Sequence, residues 1–348
     1  MYKDILSKLT NRVELSEGEI GELIAGINRD EISDVQIGGF QVALLMKSPT
    51  LRETTAIAKA MRENCIRLRP RVREPLMDTC GTGGGLSTFN ISTATAIVAA
   101  AAGIPVAKHG SRSISSLSGS ADVLEALDVN IDLSVAAAER MIEEIGIAFL
   151  YAPLFHPVMC KVLPPEQDLG IKTIFYTIIG PLINPAFASR HILGVYRPEL
   201  LDTVTEVARS LGYKDALFVH GLDGLDEISL MGPTRINELH AGQVKSYEIT
   251  PEQLGLVRCS LEDIKTGTPQ SNAECIRAVF GGRLKGPRRD AILLNAAGAL
   301  LIGQRATSLR EGIQLAAELI DSGAANRKLQ ELGEASRAYG AKGERGHE

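Results

Sequence analysis

Short apolar segments alternate with helical patterns after residue 75, and this alternation limits the possible fold more than any other feature of the chain. An alanine-rich helix is predicted over residues 92–102, between two strand candidates. Parallel strands need long crossover connections, which helices usually supply. The pattern therefore predicts a largely parallel α/β sheet. The strand candidates are residues 75–80, 104–107, 148–151, 192–195 and 216–219.

The first 70 residues show a different pattern, which predicts a helical unit. Capping boxes at Ser16–Glu19 and Thr50–Glu53 each precede apolar residues at helical spacing. Residues 68–74, which contain Pro70 and precede Pro75, are the predicted linker. Residues 171–186 interrupt the later alternation with an apolar run broken by Gly-Pro and Asn-Pro pairs. We expect this run to form a helix that leaves the sheet.

Composition excludes several classes of protein. The chain has 348 residues, 45% of them hydrophobic and 23% charged, as in ordinary soluble globular proteins. A net charge of −5 without a basic run disfavours duplex nucleic acid as a partner. No apolar stretch is long enough for a membrane span, and the first residues lack the apolar core of a secretory signal. The five scattered cysteines are predicted to be reduced packing residues of a cytoplasmic protein rather than metal ligands.

Three polar or glycine-rich motifs near the first two strands suit phosphate. Gly81–Gly85 follows a strand candidate, and glycines let backbone amides approach a phosphate closely. A tight turn explains the same glycines equally well. Asn90 and Ser92 begin the next helix, either as caps or as ligands of an anion or metal-bound oxygen. Residues 108–116 combine cations with hydroxyls, which suits a charged phosphate, although a solvated loop is the alternative.

A fourth motif, at residues 221–227, places Asp226 and Glu227 next to a strand end. Magnesium prefers a few carboxylates together with phosphate oxygens of a substrate. A turn explains Asp223 and Gly224, but it explains the following acidic pair less well. Ligands bind at the carboxyl edge of open parallel sheets. The four motifs together predict a magnesium–diphosphate site at this edge.

The motifs, in this order, resemble the anthranilate phosphoribosyltransferase family along nearly the whole chain. So many ordered blocks make the resemblance specific. The blocks are GTGG at 81–84, TFNIST at 88–93, VAKHG at 106–110, SSLSGSADVLEAL at 115–127, FLYAPLFHP at 149–157, LGIKTIFYTIIGPLINPA at 169–186, GVYRPEL at 194–200, HGLDGLDE at 220–227, LLNAAGAL at 293–300 and DSG at 321–323.

The resemblance implies an α/β fold, with a largely parallel sheet domain and a smaller all-helical domain, shared with nucleoside phosphorylases and assembled as a homodimer. The helical domain would contain residues 1–72 and helices from residues 166–186. The domain that binds phosphoribosyl diphosphate would contain residues 73–165 and 187–340, followed by a polar tail over 341–348. The active site would lie where the two domains meet.

The resemblance also implies a role for individual residues. Two magnesium ions would be held by Ser92, Asp226 and Glu227. No residue has to be a general base, although His109 is a candidate. The donor, phosphoribosyl diphosphate, would contact Gly81, Thr82, Gly83, Gly84, Asn90, Ser92, Thr93, Lys108 and Ser120. A small aromatic acceptor would contact His109, Ser111, Tyr151, His156, Glu166 and Tyr176.

The departures from the family pattern cluster around the acceptor. Ser111 and Tyr176 each replace an asparagine, and Glu166 replaces the arginine that binds the carboxylate of anthranilate. Gly85 stands where the family has aspartate, in a loop one residue shorter. A unit charge about 4 Å from a carboxylate contributes roughly 4 kcal/mol at an effective dielectric near 20. Replacing the arginine by a glutamate would therefore turn a strong attraction for the acceptor carboxylate into a repulsion. Such a site can bind anthranilate only if another cation pairs with its carboxylate, or if the side chain of Glu166 points away from the acceptor.

Two acceptor hypotheses therefore remain open. The first is transfer to anthranilate in tryptophan biosynthesis, and the second is the same donor chemistry on another aromatic acceptor. Lys161 and Lys172 are the cations nearest in sequence to the altered position. A nucleoside phosphorylase would have a further C-terminal domain, and a non-catalytic nucleic-acid-binding relative would have a basic surface, so both are disfavoured.

Overall fold

A computed structural model describes residues 1–113 and 117–343, with a seven-stranded sheet at its centre. Ile114, Ser115 and Ser116 of the basic loop, and tail residues 344–348, lie outside the described residues. The strands are β1 (Met77–Gly81), β2 (Val106–Gly110), β3 (Ile147–Tyr151), β4 (Arg190–Gly194), β5 (Asp215–Gly221), β6 (Thr234–His240) and β7 (Gln243–Ile249).

The described ranges contain sixteen α-helices. They are α1 (Tyr2–Thr10), α2 (Glu17–Asn28), α3 (Asp34–Lys47), α4 (Leu51–Glu63), α5 (Ile91–Ala101), α6 (Ser120–Ala126), α7 (Val135–Ile145), α8 (Ala152–Phe155), α9 (Pro157–Leu169), α10 (Gly180–Leu182), α11 (Pro198–Ser210), α12 (Leu261–Ile264), α13 (Pro269–Phe280), α14 (Pro287–Ile302), α15 (Leu309–Asp321) and α16 (Ala324–Gly343). A π-helix spans Phe175–Ile179, and a 3-10 helix spans Glu252–Leu254. None of these helices has the length and apolar character required to cross a membrane.

The sheet has the strand order β3-β2-β1-β4-β5-β6-β7. Strands β1 to β5 are parallel, and this confirms the predicted largely parallel α/β fold. The antiparallel strands β6 and β7 were not predicted. Their sequences carry charged and polar side chains, and β7 is mostly exposed, so they lack the apolar runs that marked the inner strands.

Strand β1 is the point at which the order of the parallel strands reverses. The chain continues from β1 to β2 and β3 on one side, then returns to β4 and β5 on the other. β1 and β4 pair in direct register, so Gly81 and Gly194 lie side by side at their carboxyl ends. This edge is where an open parallel sheet forms a crevice for a ligand.

Helices α1 to α4 pack into a bundle, and α9 joins them. Both predicted capping boxes are present, because Ser16 and Thr50 accept hydrogen bonds from the amides of Glu19 and Glu53. The returning segment begins at Pro157, earlier than the residue 166 implied by the resemblance. A helix was expected over residues 171–186. The structure instead has a short π-helix followed directly by α10. The shared core of this region includes Ile24, Phe40, Val158, Val162 and Phe175.

Helix α16 reaches Gly343, two residues beyond the predicted start of the tail at residue 341. Another expected cap is present at α15, where Ser308 accepts a hydrogen bond from the amide of Glu311. Asn90 lies at the N-cap of α5 but makes no side-chain cap bond. Its side chain instead bonds to Ser118 and Asn272, so it connects the start of α5 to the loop before α6 and to helix α13.

Candidate active site

A cavity of about 520 Å³ lies between the carboxyl ends of β1, β2 and β5 and the helical segments α8, α9 and α10. All four predicted motifs reach this one cavity, as expected for strand ends at one edge of a sheet. The predicted donor and metal residues that line it are Gly81, Thr82, Gly83, Gly84, Asn90, Ser92, Lys108, Ser120, Asp226 and Glu227. The predicted acceptor residues that line it are His109, Ser111, His156 and Tyr176.

Three predicted site residues lie outside the cavity lining. Thr93 faces the core because it is one helical step round from Ser92, and only 1% of its surface is exposed. Tyr151 ends β3 with its ring turned towards Arg112, whose guanidinium carbon lies 5.8 Å from the ring centre. Glu166 is buried and accepts hydrogen bonds from Thr173 and, at 3.4 Å, from Gln41. The structure therefore leaves these three side chains outside the cavity lining, and their predicted contacts with a ligand stay predictions.

Close contacts explain why glycine is required in the first loop. The amide of Gly83 donates to Asp226 Oδ2 at 2.8 Å. A Cβ on Gly81 would lie 2.3 Å from the same oxygen, and one on Gly194 would lie 1.6 Å from the Asp226 carbonyl oxygen. Gly83 and Gly84 have φ of +65° and +87°, which favours glycine. The loop thus forms around the first acidic residue of the carboxylate pair.

Burial leaves Asp226 and Glu227 without full compensation of their charge. It raises the pKa of Asp226, although the Gly83 amide acts in the opposite direction. Burial, together with the neighbouring Asp226, raises the pKa of Glu227 to about 8. The hydroxyl of Ser92 lines the same part of the cavity. These oxygens fit a hard divalent cation such as magnesium, whose charge would offset both burial and mutual repulsion.

Lys108 lies beneath the glycine loop, where 3% of its surface is exposed. Its ammonium donates to the carbonyl oxygen of Thr79 at 2.5 Å. Burial lowers the pKa of Lys108, while Asp78 acts in the opposite direction. Asp78 also accepts a hydrogen bond from the His109 amide at 3.0 Å and one from Asn184 at 2.8 Å. This buried carboxylate therefore holds β1, β2 and the segment after α10 together.

A pair of neutral histidines forms the other end of the cavity. The rings of His109 and His156 meet edge to face, with 4.9 Å between their centres. Burial lowers the pKa of His109 to about 4 and lowers that of His156 well below its usual range. His109 Nε2 and both ring nitrogens of His156 have no hydrogen-bond partner among the described residues. Together with Met159 and Leu163, the rings form a mostly apolar wall with unsatisfied polar atoms.

Sequence reasoning did not place Lys172, which lines the cavity beside Tyr176. The ammonium of Lys172 lies 5.3 Å from the centre of the Tyr176 ring. The spacing of four residues between them is the signal that could have placed it, since Tyr176 was already a predicted acceptor residue. Lys161 is directed elsewhere, because its ammonium donates to the carbonyl oxygens of Ile27 and Asn28.

Family models match most of the chain. One described as the a/b domain of the glycosyl transferase family matches residues 73–326, and one described as its helical bundle domain matches residues 3–65. The chain is 47% identical over 340 residues to the anthranilate phosphoribosyltransferase of Acetivibrio thermocellus, covering 97% of this chain and 98% of that protein. It is 45% identical over 341 residues to the enzyme of the same name from Desulfosudis oleivorans, covering 98% and 100%.

Solved structures of anthranilate phosphoribosyltransferases have the same fold as this chain. The anthranilate phosphoribosyltransferase of Thermus thermophilus superposes with a TM-score of 0.89 at 40% identity, covering 96% of this chain and 99% of that one. The enzyme of Saccharomyces cerevisiae in complex with PRPP and Mg superposes with a TM-score of 0.88 at 27% identity, covering 97% and 98%. On sequence, fold and the arrangement of the cavity, the chain belongs to the anthranilate phosphoribosyltransferase family.

Proposed function

We propose that the chain transfers the 5-phosphoribosyl group of phosphoribosyl diphosphate to the amine of anthranilate and releases diphosphate, a step of tryptophan biosynthesis. The observation that carries this proposal is the single cavity that joins a glycine loop, a carboxylate pair and a histidine-lined apolar end. The first two suit a charged donor, and the third suits a small aromatic amine. The names of the similar enzymes support the same reaction.

The donor diphosphate would lie against the glycine loop. Gly84 and its neighbours can direct amides towards phosphate oxygens, and α5 directs its N-terminus to the same place. Lys108 adds a buried positive charge below the loop. Ser92, Asp226 and Glu227 would hold magnesium, and we propose two ions. When bound, magnesium would neutralise charge on the diphosphate.

The reaction breaks the bond between the anomeric carbon and a diphosphate oxygen and forms a bond from that carbon to the amine nitrogen. The amine nitrogen then releases one proton to water, and the diphosphate leaves with the electron pair of the broken bond. His109, with its pKa lowered by burial to about 4, is a weak base, so we assign it to positioning the acceptor with His156. Holding amine and donor in line across the cavity supplies much of the rate enhancement in this scheme.

The position of Glu166 favours anthranilate over the alternative acceptors. The repulsion predicted from the sequence would require the carboxyl of Glu166 to face the acceptor, and instead it faces Thr173 and Gln41. Ser111 and Tyr176, the other two departures, do line the cavity. They are the observation that favours a second candidate function, transfer to a different aromatic acceptor.

A direct assay decides between the two candidates. Purified full-length protein with phosphoribosyl diphosphate and magnesium should release diphosphate when anthranilate is added, with equal loss of anthranilate fluorescence. A panel of other aromatic amines is tested in parallel. Release only with another amine would replace anthranilate by that acceptor. No binding of phosphoribosyl diphosphate, measured by calorimetry with magnesium, would contradict the proposal as a whole.

We also propose that the protein is a cytoplasmic homodimer. Helices α1, α3 and α9 border a groove of about 850 Å³ on the outside of the bundle. Val35, Met46 and Leu169 line it with 85%, 70% and 50% of their surfaces exposed. Such a cluster of exposed apolar side chains is typical of an interface, and a second copy of the chain would cover it. The cytoplasmic location is proposed from the composition and the scattered cysteines of the sequence.

A further inference from the structure

An anionic acceptor needs a positive charge in the cavity, and three lysine or arginine residues line its described part. Two of them are already engaged. The ammonium of Lys108 is buried and donates to a backbone carbonyl of β1 at 2.5 Å. The guanidinium of Arg112 forms ion pairs with Asp122 at 3.0 Å and Glu125 at 2.6 Å. The third cation, Lys172, therefore remains for a ligand.

Lys172 is exposed, and within the described ranges it forms no ion pair and no hydrogen bond. Its ammonium lies against the ring of Tyr176 and 3.7 Å from where a Cβ on Gly84 would stand. The hydroxyl of Tyr176 lies 3.5 Å from the equivalent position on Gly83. The two side chains thus extend from the helical segment to the glycine loop, across the mouth of the cavity.

Lys172 lies next to Thr173, the residue that turns Glu166 away from the cavity. Thr173 donates its hydroxyl to Glu166, and only 4% of the surface of Thr173 is exposed. Thr173 is buried, whereas its neighbour Lys172 is exposed and lines the cavity.

We propose that Lys172, held beside Tyr176, binds the carboxylate of the aromatic acceptor and makes the cavity selective for anionic acceptors. The inference rests on the phosphoribosyl transfer proposed above and names the acceptor class of that site. An ammonium with no other partner can form charge-assisted hydrogen bonds with a carboxylate. The Tyr176 hydroxyl offers a further donor at the same place.

The test compares Lys172→Gln with Lys172→Arg and with Lys161→Gln. Lys161 is a matched control, because it is a lysine of the neighbouring helix α9 that bonds outside the cavity. We expect Lys172→Gln to raise the KM for anthranilate by about ten- to a hundredfold, the loss of a hydrogen bond to a charged group. The KM for the neutral analogue 2-aminobenzamide should stay unchanged, Lys172→Arg should retain most of the anthranilate affinity, and Lys161→Gln should behave as wild type.

Calorimetry with phosphoribosyl diphosphate and magnesium, without acceptor, completes the test. Unchanged donor affinity in Lys172→Gln supports the proposal, whereas weaker donor binding, or equal KM changes for both acceptors, would assign Lys172 to the diphosphate and overturn it. If the wild type releases no diphosphate, the proposed function fails on its own. Titrating anthranilate into the donor-loaded protein then tests the role of Lys172 separately. Anthranilate binding that is lost in Lys172→Gln supports the proposed role of Lys172, and any other result contradicts that role.

Discussion

Two buried glutamates, Glu53 and Glu166, show how the surroundings of a single residue decide what its charge does. Burial acts to raise the pKa of both carboxyls. For Glu53, hydrogen bonds from the Leu15 and Thr50 amides and from Lys47 lower the pKa overall. For Glu166, the hydrogen bonds from Thr173 lower the pKa less than burial raises it, so the pKa is raised overall. The two residues therefore have opposite effects on stability as pH changes.

The first residue-scale prediction concerns Glu166→Gln. Because the pKa of Glu166 is raised on folding, its charged form costs the folded state stability above that pKa. Below the unfolded pKa both states hold the proton, and the cost disappears. We expect the variant to melt at a higher temperature than wild type near pH 8, with the difference vanishing towards pH 4. Thermal unfolding across this range checks it, and a constant difference would contradict the assignment.

A second prediction concerns Gly81→Ala. The added Cβ would lie 2.3 Å from Asp226 Oδ2, so the carboxylate must move. Displacing a metal-holding group by this route should raise the magnesium concentration for half-maximal diphosphate release roughly 10- to 100-fold. Gly21→Ala is the control, because a Cβ there meets nothing within 4 Å. An unchanged magnesium requirement in a folded Gly81→Ala protein would argue against Asp226 as a ligand.

The residues of the site were predictable to different degrees. The sequence predicted that the Asp226–Glu227 pair and the glycine loop follow strand ends, and both line the cavity. Thr93 and Glu166 lie outside the cavity lining, because a motif gives the order of residues but not the side to which each side chain turns. Lys172 was left unplaced for the same reason. The departure at Glu166 could be read from the sequence, but its consequence depends on the packing of Thr173.

At the scale of elements, the buried side chain of Glu53 connects three parts of the helical bundle. It accepts hydrogen bonds from the Leu15 amide before α2 and from the Thr50 amide at the start of α4. It also pairs with Lys47 at the end of α3, at 2.5 Å, with 4% of the Lys47 side chain and 0% of its own exposed. The capping residue of one helix therefore holds the ends of its neighbours.

We accordingly predict that Glu53→Gln destabilises the protein by on the order of 3 kcal/mol, because it leaves the buried Lys47 without its counter-charge. The pKa of Glu53 is lowered on folding, so this stability is present above the unfolded pKa and is lost as pH falls through the folded pKa. Glu19→Gln, at the same position of the α2 capping box but more exposed, should cost less than about 1 kcal/mol. Urea unfolding at pH 7 and pH 4 tests both variants, and equal losses would contradict the prediction.

Elements with regular periodicity were predicted well, and irregular ones were not. The inner strands and the capped helices α2, α4 and α15 follow local patterns that the structure confirms. Strands β6 and β7 were missed because they are antiparallel and carry polar residues. Helix α9 was missed as a continuous element because Pro164 and Pro165, which ordinarily interrupt helices, lie inside it. Packing on α2 and α3 overrides that local preference.

At the scale of the whole molecule, the groove beside α3 gives a prediction about assembly. Replacing Met46 by glutamate puts a charge on the face that we propose a second copy covers. We expect Met46→Glu to shift the protein from dimer to monomer in light scattering at micromolar concentration. Val257→Glu is the control, since Val257 has 80% of its surface exposed and lies outside the groove. A wild-type monomer, or a Met46→Glu dimer, would remove this groove from consideration as the interface.

The late return of the chain to the bundle has a consequence for synthesis on the ribosome. Helices α1 to α4 emerge first, but the surface that they present to α9 stays uncovered until residues 157–169 have also emerged. In the meantime β1 has β2 as a neighbour, while its other partner, β4, is still to be made. The helical bundle is thus the first part translated, but it is completed only after β1, β2 and β3 have been made. A nascent chain stalled before residue 157 should consequently expose apolar surface to chaperones and proteases that the finished protein hides.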